Sequence, residues 1–150
     1  MRRGNPLIPS PFFVDFRYIY YLCTDIAGYY GILEYGKLIE TIVGAIQDKK
    51  GKDIVSLDLS GFDGAICSHF VVCNADSTMQ VVAIADGVEE AVEEKLGEKV
   101  WRVEGKQTGL WVAMDYMDVV VHIFTTELRS FYKLEELWAD APLKRYDYEE

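Results

Sequence analysis

No stretch of this chain supplies the roughly 20 clean apolar residues that a bilayer-spanning helix requires. Its longest apolar and aromatic run, Pro11 to Leu33, is interrupted by Asp15, Arg17 and Asp25, so no membrane span is expected. Cysteine is scarce: three in 150 residues, an odd number without a secretory signal, which argues against a disulfide framework and for a reducing cytoplasm. Cations are also few, with 15 Lys and Arg against 25 acids and a formal net charge of -10. Phosphate neutralisation needs clustered Lys and Arg. The one tight basic cluster, Lys49, Lys50 and Lys52, reads as a solvated cap beside a helix end. Direct sequence-specific nucleic-acid binding is therefore not expected, and a protein component is the better target on any nucleoprotein. A glycine-rich phosphate cradle is missing too, as is the Gly-Ser plus Asp-x-Asp arrangement of a nucleotidyltransferase.

What is present suits one globular unit. Half of the residues are hydrophobic and 27% are charged, and a chain of this length buries roughly 70% of its unfolded surface. The first 34 residues differ from the rest, holding three of the four prolines and five of the ten tyrosines with no sustained period. Residues 1–35 are read as an atypical extension, partly ordered at best or the product of a misassigned start, and no function is attached to them.

From Leu38 onward, Leu38, Ile39, Ile42, Val43 and Ile46 recur at helical spacing, and the lysines with Gly51 supply the stop, predicting a helix over about 36–50. DIVSLDLS alternates and ends at Ser60-Gly61, a strand. HFVVCNA, beyond the turn Phe62-Asp63-Gly64, reads as a second, more fully buried strand. Asp76 or Ser77 can cap a helix with the stripe Val81, Ile84, Ala85, Val88, Val92 and Leu96, wetted by Glu89, Glu90, Glu93 and Glu94 and ended by Gly97. Three strands follow near 99–104, 109–115 and 118–124, then a helical region from Thr125 or Thr126 and a polar, frayed end from residue 143. This order predicts an α/β (α+β) fold: a mixed five-stranded sheet flanked by helices.

Three groups of residues invite chemistry. Cys67, His69 and Cys73 fall on alternate positions of one strand, but at ~3.3 Å per residue the two thiols stand roughly 20 Å apart, too far to share an ion. Cys67 and His69 with His122 remain a geometric possibility for a metal, against ordinary core and surface roles. The acids Asp58, Asp63, Asp115 and Asp118 lie near strand ends, where a metal-dependent phosphoryl-transfer enzyme keeps its carboxylates; Asp58, Asp115 and Asp118 would be its ligands. Acids in turns are more often turn formers. Trp111 is the third: Leu110, Val112 and Met114 take the apolar face of GLWVAMD, and Trp111 shares the other with Ala113 and Asp115. A helix of the same domain covers that indole, or it is left for a partner.

Read together, DIVSLDLSGFDGAICSHFVVCNADSTMQVVAIAD, RVEGKQTGLWVAMDYMDVVVHIF and RSFYKLEELWADAP resemble the ribosomal silencing factors, RsfS, of the Iojap family over about residues 36–142. The resemblance implies a nucleotidyltransferase-like sheet without catalytic acids, no enzymatic activity and no cofactor. It further implies a partner, large-subunit ribosomal protein fourteen, bound on the face where the small subunit docks, so that subunits fail to join when nutrients are scarce. The family's partner-contacting tryptophan matches Trp111, and its apolar contact position matches Tyr116, which is bulkier and more polar than the aliphatic residue often found there. The expectation is a sheet face centred on Trp111 and Tyr116 and rimmed by Asp118, with Phe131 and Tyr132 adding an edge. The protein would act as a monomer or weak homodimer.

Overall fold

The stripe that begins at Leu38 forms helix α1 (Tyr35–Asp48), burying Leu38, Ile39, Ile42, Val43 and Ile46. The computed structural model describes residues 35–62 and 67–146; the expectations placed on residues 1–34, on Asp63 and Gly64, and on residues 147–150 lie outside the described residues. After α1 come β1 (Lys52–Asp58), β2 (His69–Ala75), α2 (Thr78–Leu96), β3 (Arg102–Glu104), β4 (Trp111–Asp115), β5 (Val119–Thr125), α3 (Thr126–Tyr132), α4 (Leu134–Leu137) and β6 (Leu143–Tyr146). Ser77 caps α2, its hydroxyl accepting from the Gln80 amide, and Gly97 closes it in the left-handed conformation, donating its amide to the Glu93 carbonyl. Both ends follow the ordinary chemistry of orphan helix donors and acceptors.

The strands form one sheet in the order β3-β4-β5-β2-β1-β6. Its central pair, β2 and β5, is parallel, and every other pairing is antiparallel. Parallel strands require both faces covered, and β5 is buried along its whole length. On one face Val71, Cys73, Val112, Met114, Val121 and Ile123 pack under α1 and α2. On the other, Val55, Leu57, Phe70, Val72, Trp111, Ala113, Val120 and Phe124 meet Tyr132, Leu134 and Ala141 from the C-terminal region. The result is three layers, with the sheet in the middle.

A sixth strand is the main departure from expectation. β6 lies in what the sequence reads as a frayed polar end, and it pairs antiparallel with β1, Ile54 opposite Tyr146 and Leu57 opposite Leu143. The Ser56 hydroxyl and the Tyr146 hydroxyl lie 3.0 Å apart across this pair. Arg129 of α3 fastens the opposite end of β1, donating to the carbonyl of Asp53, to Asn74 Oδ1 at 2.8 Å and to Glu135 of α4 at 2.6 Å. Asp53 itself takes a positive φ of 50° where the β1 register slips, leaving a carbonyl that the guanidinium satisfies.

The Asp58 amide donates to the Pro142 carbonyl, and by alternation the Ser56 amide points toward β6 as well. Truncation before Leu143 should therefore speed hydrogen exchange at Ser56 and lower the urea midpoint. Unchanged exchange at that amide would show that β6 does not pair in solution.

Candidate interaction site

Trp111 opens β4 on the face turned toward the C-terminal helices, and only 1% of its surface is exposed. Its indole stacks on Phe124 with ring centres 4.8 Å apart, lies 5.3 Å from the Tyr132 ring and donates its Nε1 proton to His122 Nδ1 at 3.1 Å. That bond fixes the neutral His122 tautomer with its proton on Nε2, an atom without a partner, while the Phe70 ring meets the imidazole edge-on at 4.8 Å. Burial pushes the His122 pKa down to about 3, so the ring is uncharged at neutral pH. Of the two readings open for Trp111, the structure shows the first: helices of its own domain cover it. Tyr132 is the cover, itself buried with an unpartnered hydroxyl whose pKa burial raises. Its neighbour Phe131 turns outward, 56% exposed, edge-on to Tyr132.

Tyr116 sits on the other face. It is five residues from Trp111, and an odd separation on a strand puts two side chains on opposite sides. Accordingly, Tyr116 packs in the α1 and α2 layer with Val112 and Met114. The expected face centred on Trp111 and Tyr116 is therefore corrected: the sheet itself stands between them. Burial raises the Tyr116 phenol pKa, and Glu89, Glu98 and Glu93 raise it further. Beyond it, Met117 takes a positive φ of 74° in a tight turn where the Asp118 amide donates to the Tyr116 carbonyl and the Tyr116 amide to the Val119 carbonyl. Such a turn is strained for a residue carrying a Cβ. Asp118 is 6% exposed and its backbone carbonyl accepts from the amides of Ser68 and His69.

The three acids do not converge on one point: Asp58 and Asp118 both lie within the field of His69, and Asp115 is apart from them. Asp115 and Asp58 stand on strands with β5 and β2 between them, about 14 Å apart at ordinary strand spacing, and on opposite faces. Asp58 accepts from the amide and hydroxyl of Ser60, which lowers its pKa, and lies 3.8 Å from His69. Asp115 accepts from the Met117 amide through one oxygen at 2.7 Å and buries the other without a partner, and desolvation pushes its pKa up to about 6. The metal reading of Cys67, His69 and His122 also comes apart, since His69 faces Asp58 while His122 lies across the sheet between Trp111 and Phe70. Among the described residues no group of three or more His, Cys, Asp or Glu side chains is placed to hold a metal ion.

Residues 33–150 match the family described as "Ribosomal silencing factor during starvation". The chain belongs to the ribosomal silencing factor family. It is 38% identical over 111 residues to ribosomal silencing factor RsfS of Bacillus subtilis (strain 168), covering 74% of this chain and 92% of that protein. It is 39% identical over 106 residues to RsfS of Halalkalibacterium halodurans, covering 71% and 89%. A crystal structure of a protein from Chromobacterium violaceum superposes with a TM-score of 0.67 at 34% identity, over 71% of this chain and 88% of the other. The mixed sheet is thus the fold of silencing factors. No helix among the described residues is long and apolar enough to cross a membrane.

Sequence reasoning missed two residues. Arg129 ties α3 to β1, β2 and α4, and its sequence signal, a lone cation in a helix followed six residues later by Glu135, is too common to stand out. Trp101 stands 45% exposed just before β3, in a run that reads only as a strand.

Because Trp111 is a core residue, Trp111→Ala should cost about 3–5 kcal/mol of stability, measured by urea unfolding; a cost under about 1 kcal/mol would mean the indole is not covered. Asp115 has a raised folded pKa, so its contribution to stability is full below its ordinary value of 3.8 and lost as pH rises through about 6. His122 has a depressed one, so its contribution is full above 6.5 and lost as pH falls toward about 3. Asp115→Asn should then stabilise the protein at pH 7, by on the order of 2 kcal/mol, and not at pH 4. Equal effects at both values would rule out a titrating Asp115.

Proposed function

We propose that this chain silences translation by occupancy: it binds large-subunit ribosomal protein fourteen on the face where the small subunit docks, and so blocks joining of the two subunits under nutrient limitation. The observation that carries this reading is the family match over residues 33–150. Steric exclusion asks for no reaction and no cofactor, only a stable interface, for which about 800 Å² per partner is standard. Soluble action in the cytoplasm as a monomer or weak homodimer is part of the same reading.

The residues expected at that interface take different parts in it. Phe131 is the exposed aromatic on the Trp111 side of the sheet. Trp111 and Tyr132 lie beneath it, and they serve the interface by holding Phe131 in place through packing. Tyr116 and Asp118 frame the turn between β4 and β5 on the far side of Trp111. An acidic domain with aromatic anchors suits a basic protein partner, since opposite charge speeds encounter and fixes register while buried aromatics supply the affinity.

Purified protein sedimented with separated subunits should pellet with large subunits alone. Large subunits preloaded with it should then fail to form joined ribosomes when small subunits are added, and isolated ribosomal protein fourteen should capture it. Pelleting with neither subunit, or with the small one, would sink the reading.

A further inference from the structure

β6 ends the sheet on the side away from β3, and only one of its flanks is bonded. The Asp58 amide donates to the Pro142 carbonyl and the Leu59 amide to the Ser68 carbonyl, so successive amides of β1 alternate between β6 and β2. Carried along the register, Ser56 with Lys144 and Ile54 with Tyr146 are the bonded pairs, whereas Leu57 with Leu143 and Val55 with Arg145 are not. The backbone amides and carbonyls of Leu143 and Arg145 therefore turn away from β1. No strand lies beyond them among the described residues.

The side chains beside this edge determine what it can hold. Cross-strand neighbours share a face, so Leu143, 42% exposed, and Arg145 stand on the face of Leu57 and Val55, the one that α3 and α4 cover. Arg145 lines an open cavity of about 380 Å³ there, together with Thr126, Ser130, Lys133, Glu136 and Asp53. Lys144 stands on the other face, over the Tyr146 ring at 5.0 Å. In a chain of net charge -10, Lys133, Lys144 and Arg145 form no ion pair among the described residues. An open strand edge beside a lined cavity suits strand addition, in which main-chain bonds supply affinity and the cavity selects alternate side chains. Three uncompensated cations select carboxylates. Asp53 and Glu136 in the same cavity oppose a continuous run of phosphates, while strand alternation presents carboxylates singly on each face. A second copy is opposed too. The two-fold antiparallel register that engages both Leu143 and Arg145 sets Lys144 against Lys144, and like charges directly opposite destabilise a pair.

We propose that the outer edge of β6 takes an extended acidic segment of a second protein partner as an added strand, with an apolar residue opposite Leu143 and carboxylates opposite Lys144 and Arg145. This surface is independent of the ribosome-docking reading, which calls for a basic partner.

The test titrates the full chain, followed by amide NMR, with three probes: an end-blocked peptide Thr-Val-Glu-Glu-Val-Thr, which reads alike in both directions, its counterpart with Lys for both Glu, and oligouridylate. The Glu peptide should shift the Leu143 and Arg145 amides and slow their exchange, and the Lys peptide should bind about tenfold more weakly or less. Arg145→Glu should weaken the Glu peptide by a similar factor. Leu143→Pro, which removes an outward amide that β1 does not use, should abolish its binding. Unchanged exchange at the Ser56 amide shows that β6 stays paired in each variant, and where Leu143→Pro releases β6, Arg145→Glu decides alone. Equal binding of the Glu and Lys peptides, binding of neither, or tighter binding of oligouridylate overturns the assignment. Protection of the Leu143 and Arg145 amides in the free chain overturns it as well, because the edge is then already filled by the chain itself or, where protection grows with protein concentration, by a second copy.

Discussion

Everything in this domain is arranged around the parallel contact between β2 and β5. A parallel pair cannot be closed by a short hairpin and cannot leave a face to water, so it demands a long crossover and a cover on each side. Helices α1 and α2 cover one face in the ordinary way, with aliphatic stripes. The second face has far less helix available: α3 and α4 together span only Thr126 to Leu137. It is closed instead with rings, and Trp111, Phe124, Phe70, His122, Tyr132 and Trp138 form a contiguous aromatic set there. Large flat side chains bury much area per residue, which is how two short helices suffice.

That solution leaves polar atoms behind. His122 Nε2, the Tyr132 hydroxyl and Trp138 Nε1 are buried without partners under α3 and α4, and each such group subtracts from stability. The compensation comes at the rim, where the Arg129 guanidinium satisfies a strand bulge, an asparagine and a glutamate at once. The sharp joint between α3 and α4, with Lys133 at a φ of 49°, brings Leu134 back onto the sheet and Glu135 onto Arg129.

The sequence shows these devices unevenly, for physical reasons. The α1 and α2 stripes, the Ser77 cap and the Gly97 stop are local and strongly patterned, so they are readable in one dimension. β6 is not: Leu143, Lys144 and Arg145 are exposed and Tyr146 is half-buried, so an edge strand that buries so little carries no alternation to detect. Alternation placed Trp111 on the correct face but could not say what lies above it, since the cover comes from residues some 20 positions later. The pairing of Trp111 with Tyr116 on one face came from family resemblance and ran against strand parity, which the local sequence already contained. Trp101 was passed over because a short edge strand gives a weak period and its exposure depends on where the sheet stops.

The pairing of Leu57 with Leu143 has a consequence for how the chain is made. β1 emerges from the ribosome early, yet its outer neighbour is 86 residues downstream, by the difference 143 − 57 of that pair. Throughout the synthesis of the intervening strands and helices, one side of β1 presents unpaired backbone to its surroundings, the condition under which nascent sheets associate wrongly. Lys52 and the positive-φ kink at Asp53 stand at the beginning of that exposed side. They are the kind of charge and irregularity that keeps an unfinished edge from accepting a stranger before its own last strand arrives.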